Sequence, residues 1–100
     1  MAPEVYRYSF NQDVDLEDVQ ASLVLSILGV QSLHGEPVAR LDVGHLLDPD
    51  TRTCVIDAST VAGRDLNKLF AGYLLREFGT DSFHVKRVER AVRDPAKNTA

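Results

Sequence analysis

Hydrophobic and polar positions follow two rhythms along this chain. Residues 4–10, EVYRYSF, alternate and are rich in aromatic rings, the pattern of a first strand. From Asp15 the period lengthens. Leu16, Val19, Leu23, Ile27 and Val30 recur at helical spacing. Asp15 suits the N-cap, and Glu17 and Asp18 place negative charge where the helix dipole favours it. Gly35 stands just past His34, where a helix of this length stops. Leu25 and Leu28 broaden the stripe, and a helix so apolar is expected to be covered on more than one side.

Residues 36–59, EPVARLDVGHLLDPDTRTCVIDAS, read as a hairpin that turns at Asp48–Thr51. With that turn as the whole connection, Leu47 faces Arg52, His45 faces Cys54, Val43 faces Ile56 and Leu41 faces Ala58. The last three pairs put mostly apolar residues on one face, as a half-buried sheet requires. The other face carries Arg40, Asp42, Thr53, Val55 and Asp57. A second helix is predicted over Val61–Phe78, with Leu66, Leu69, Phe70, Tyr73, Leu74 and Phe78 on its buried side and Gly79 ending it. Residues 82–92, SFHVKRVERAV, alternate again, with Phe83 and Val85 on one side and His84, Lys86 and Val88 on the other.

The order β-α-β-β-α-β defines an α+β chain. It is the split β-α-β of a ferredoxin-like two-layer sandwich: a four-stranded antiparallel sheet, order 4-1-3-2, with two helices on one face. Residues 1–92 form one domain on this reading, and 93–100, polar and proline-bearing, form a flexible C-terminal tail.

Composition narrows the function classes more than it selects among them. One hundred residues leave little room for a deep cavity. The net charge of −4 is uneven. Residues 1–50 carry two basic and nine acidic groups, and residues 51–100 carry nine basic and six acidic. Such a division supports a polarised surface only if the fold keeps the two signs apart. Cys54 is the single cysteine, so no intrachain disulfide or Cys-x-x-Cys motif exists. The first ten residues lack a signal pattern and no apolar run is long enough to span a bilayer, so the expected compartment is the cytoplasm, away from membranes.

The most suggestive chemistry lies in CVIDASTVAGRDLNKLF, residues 54–70. Asp57 ends a strand, Ser59 or Thr60 can cap the next helix, and Gly63 and Arg64 fall in its first turn. Free N–H groups there can receive an anion, with Arg64 adding a charge-assisted bond. Yet a phosphate cradle uses several glycines or a Gly-Lys-Ser/Thr pattern, and ordinary capping explains all but Gly63 and Arg64. On the open sheet face, Asp42 and Asp57 are expected side by side, with Arg7, His84 and Lys86 on neighbouring strands. Paired carboxylates can raise one pKa or hold a hard cation, but two ligands do not complete such a shell. An enzyme built on Asp42, Asp57 and His84 is the weakest reading.

His45 beside Cys54 would make half a metal site or an activated thiol, although a buried cysteine is more often inert. No metal or other cofactor is expected. RNA binding would need rings on the open faces of the central strands, and Thr53, Val55 and Asp57 supply none. The acidic balance also disfavours nucleic acid.

These features predict a small non-enzymatic module that associates with itself, as a dimer or larger, or docks on another protein. The edges of the second and fourth strands offer one route. The alternative is a regulatory domain sensing a small molecule or anion at residues 57–64.

Overall fold

A computed structural model describes residues 4–88. The tail predicted at 93–100, and residues 89–92 of the predicted last strand, lie outside the described residues. The first strand, β1, runs Val5–Phe10, and the first helix, α1, Leu16–His34. Asp15 caps α1 by accepting a hydrogen bond from the Glu17 N–H at 2.9 Å. Gly35, at a left-handed φ of 89°, closes the helix by donating its N–H to the Gln31 carbonyl at 2.8 Å. The later helix occupies Val61–Phe78, with Thr60 as its cap and Gly79 as its stop.

Between these helices the sequence reading needs correction. Glu36–Asp42 is not the start of a strand but a short helix, α2, which makes Val61–Phe78 the third helix, α3. Pro37 sits in its first turn, where the missing N–H costs nothing, and Glu36 pairs with Arg40 one turn later at 2.5 Å. Among the described residues three helices therefore accompany the sheet, not two.

The hairpin strands are β2, Gly44–Asp48, and β3, Thr53–Asp57, and the last strand is β4, Phe83–Val88. All neighbouring strands are antiparallel, in the order β2-β3-β1-β4, which is the expected 4-1-3-2 read from the other edge. The hairpin register differs from the predicted one by two residues. His45 faces Ile56 and Leu47 faces Cys54. Asp48 belongs to the strand, and the loop extends through Arg52, which adopts a left-handed φ of 56°. One Arg52 amino group reaches the carbonyls of Asn11, at 2.6 Å, and Val14. A shift of two preserves face parity, so Cys54 and Ile56 still point into the core.

That core lies between the sheet and the helices. Tyr8, Cys54 and Ile56 from the sheet meet Val19, Leu23 and Val30 of α1 and Leu66, Phe70 and Leu74 of α3. Tyr8 packs edge-on against Phe70 at 4.9 Å between ring centres. Its hydroxyl donates to the Asn67 side-chain oxygen at 2.5 Å, which satisfies a polar atom that burial would otherwise penalise. Burial, reinforced by neighbouring Cys54 and Tyr6, raises the Tyr8 phenol pKa well above its ordinary value. The helices run in opposite directions: His34, at the end of α1, bonds Asp65, near the start of α3, at 2.7 Å. One turn inward, Gly29 lets Leu69 approach, and a Cβ there would lie 3.0 Å from the leucine.

Candidate functional site

The strand-to-helix turn at residues 57–64 is built from local bonds that consume its polar groups. Asp57 accepts the Ser59 N–H at 2.9 Å, and the Ser59 hydroxyl accepts the Glu4 N–H at 3.1 Å. The Thr60 hydroxyl accepts the Gly63 N–H at 3.0 Å and donates to the Asp42 carbonyl at 2.7 Å. One hydroxyl thus caps α3 and ties it to the end of α2. Gly63 has a packing reason: a Cβ there would stand 2.3 Å from the Asp57 carbonyl oxygen. Arg64 is half-buried, and among the described residues its side chain makes no ion pair. The turn brings Asp57, Ser59, Thr60 and Gly63 together as a helix-start junction.

The open sheet face holds the other candidates, with one exception. Asp42 lies at the end of α2, and the residue across from Asp57 is Gly44. The expected cross-strand pairing of Asp42 with Asp57 is therefore not formed, because helix α2 occupies the segment read as strand. Arg7 and Lys86 are direct cross-strand partners, beside Val55 on the next strand. His84 faces Ser9, while Asp57 shares its row with Val5. Ser9 and Val5 are four residues apart, about 13 Å along the strand. Asp42, Asp57 and His84 consequently do not converge on one reacting atom. The rings of Tyr8 and Phe10 are buried on the helix side.

His45 and Cys54 are likewise separated by the register, since Leu47 takes the place opposite the thiol. Cys54 is fully buried, and that desolvation pushes its thiol up to about 12. It is a core residue, without the low pKa of a reactive thiol. Among the described residues no three His, Cys, Asp or Glu side chains gather as metal ligands. No described helix is long and apolar enough to cross a membrane.

One feature that sequence reasoning left unassigned is the outer surface of the helices. From Val19 to Leu33, α1 carries no charged residue. Its inward stripe is buried as the period predicts, but Val24, Leu25 and Leu28 turn outward and are 48%, 51% and 51% exposed. Val61 and Leu75 of α3 are exposed as well. Gly72 is open on the same helix, with no neighbouring atom within 4 Å of where a Cβ would lie. The signal was the uniform apolarity of α1. The helical period placed Leu25 and Leu28 at the margin of the buried stripe, whereas both lie on the opposite side.

No family model matches this chain, and no curated protein matches its sequence. Nothing in those comparisons points to catalysis.

Proposed function

We propose that this chain is a non-enzymatic module of ferredoxin-like architecture that works by association, with the outer face of α1 and α3 as its contact surface. The observation that carries this reading is the charge-free stretch of α1. A helix apolar on all sides is normally covered on all sides. Here only the inward side is covered within the chain, and Val24, Leu25 and Leu28 present an apolar row outward. Burying such side chains fully is worth about 1.5–3 kcal/mol each, and half of each remains to be gained.

The sheet supports a contact role less well. Its open face mixes Val5 and Val55 with Arg7, Lys86 and Asp57, so apolar area is interrupted by charge. An anion site at residues 57–64 is also less favoured, because hydroxyls and N–H groups that would serve a ligand already bond one another.

The test is the mass in solution of the native chain and of Leu25→Glu, by light scattering across a wide concentration range. The expected result is an assembly for the native chain and a folded monomer for the variant. A strictly monomeric native chain at high concentration, with no apolar partner retained, would remove the proposal.

A further inference from the structure

We infer that the outer edge of β2 receives an extended, basic segment of another protein, which adds to the sheet as a fifth strand. This site is separate from the outer helix face and uses different atoms.

The backbone comes first. The Ala58 N–H donates to the Glu4 carbonyl at 2.7 Å, and the Phe10 N–H to the Arg52 carbonyl at 3.0 Å. Bonded and unbonded positions alternate along an antiparallel pair. The even residues of β3 therefore turn their N–H and C=O groups to β1, and the odd ones, Thr53, Val55 and Asp57, turn theirs to β2. Across from those lie Asp48, Leu46 and Gly44. His45 and Leu47 consequently point two N–H and two C=O groups outward, and β2 is the last strand on its side of the sheet among the described residues. The opposite edge, β4, is guarded by Lys86 and Arg87, whereas Gly44–Asp48 contains no lysine, arginine or proline.

The side chains of an added strand also have a place to go. Between this edge and α1 runs an open groove of about 580 Å³, with Leu16, Leu23, Leu47 and Pro49 among its walls. A strand laid on β2 sends alternate side chains into that groove, while main-chain bonds hold it. The charge of the occupant follows from the rim. Glu17 lines the groove, Asp48 ends the strand, and Asp42 and Asp50 lie two residues beyond either end. Of the nearby cations, Arg40 is bound to Glu36, and Arg52 to the carbonyls of Asn11 and Val14. Arg7 lies two strands in, about 10 Å from the edge, beside Val55. The edge is acidic on balance, which favours a segment rich in lysine or arginine.

A second copy fits less well. Two β2 edges satisfy all four outward groups when His45 meets Leu47, and that register brings Asp50 of each copy level with Asp42 of the other, acid beside acid. The β4 edge of another copy is basic, but its Phe83 is buried in its own core and cannot enter the groove. Such head-to-tail pairing also never closes.

The experiment is an amide NMR titration of the full chain at low salt with three capped octapeptides. One alternates lysine and valine, one alternates glutamate and valine, and the third is the lysine peptide with its amides N-methylated. The lysine peptide should shift the amide signals of His45, Leu46 and Leu47. It should bind about tenfold or more tighter than the glutamate peptide, with the gap shrinking in high salt. N-methylation should abolish binding, because it removes the main-chain donors. Glu17→Lys with Asp50→Lys should remove the preference for lysine, while Leu25→Glu, which tests the outer helix face, should leave it unchanged. Circular dichroism verifies that both variants are folded. Shifts confined to other elements, equal binding of the N-methylated peptide, or a preference unmoved by the charge reversal overturns strand addition at β2. So does the absence of binding at millimolar peptide. Amides of His45 and Leu47 already protected from exchange without peptide, and more so as protein concentration rises, would overturn the foreign occupant in favour of a second copy.

Discussion

Replacing Gly63 by alanine sets two well-characterised effects against each other. Its backbone is helical, so helix propensity alone predicts that alanine stabilises the protein by about 1 kcal/mol. Geometry predicts the reverse. The new Cβ would lie 2.3 Å from the Asp57 carbonyl oxygen and 3.0 Å from the Thr60 hydroxyl. Carbon and oxygen rest at about 3.3 Å or more, so α3 must retreat from the strand end by about 1 Å. That movement strains packed neighbours, at a cost of about 1–3 kcal/mol, and stretches the Thr60 cap, worth about another 1 kcal/mol. We expect Gly63→Ala to be destabilised by about 1–3 kcal/mol, with a melting point lower by roughly 4–8 °C for each kcal/mol. Gly72→Ala is the matched control on the same helix. Nothing stands within 4 Å of its Cβ position, so it should gain up to about 1 kcal/mol. Urea unfolding at dilute, matched protein concentration measures both, with an unchanged midpoint on further dilution excluding a contribution from association. A Gly63→Ala protein as stable as the native chain would refute the close-approach argument.

Further outcomes follow from the core and the hairpin. Arg52→Ala should lose about 1–2 kcal/mol in urea unfolding, because two carbonyls lose their guanidinium partner while the residue keeps a left-handed φ of 56°. Arg52→Gly should lie between it and the native chain, since glycine accepts that φ without strain. Tyr8→Phe should cost about 1 kcal/mol, while Phe70→Ala should cost about 3–5 kcal/mol through the cavity it leaves. Cys54 should react with an aromatic disulfide reagent only as fast as the protein opens. With the native thiol raised to about 12 from 9.0, its stabilising contribution is complete below pH 9, and declines as pH rises toward 12 and the unfolded chain alone releases the proton. Labelling at pH 8 as fast as in urea, or stability flat across that alkaline range, would contradict the buried placement.

What the sequence made legible was chiefly local. Asp15 and Gly35, then Thr60 and Gly79, are residues whose own chemistry starts or stops a helix, and α1 and α3 begin and end at them. Face parity was legible for a different reason: alternation in TCVID survives any even shift of register. The exact register did not survive, because it depends on Arg52 adopting a left-handed φ, and that residue type does not announce it. Helix α2 was hidden by its length. Seven residues complete barely two turns, and EPVARLD satisfies an alternating and a helical pattern about equally. The outer row of α1 was hidden because Leu25 and Leu28 are apolar like the buried stripe, and only packing reveals which side the rest of the chain covers.

The place of β1 in the sheet bears on how the chain acquires this structure. It is the earliest of the seven elements among the described residues, yet it lies between β3 and β4, so one of its two neighbours is the last of them. Until β4 exists, one edge of the central strand has no partner. During synthesis the sheet therefore stays unfinished until β4 emerges, and closing that edge joins residues about eighty positions apart, as in Val5 with Val88. Pairings between residues so far apart form slowly and leave strand edges exposed while they wait. Loss of β4 would accordingly leave an adhesive intermediate rather than a slightly smaller protein.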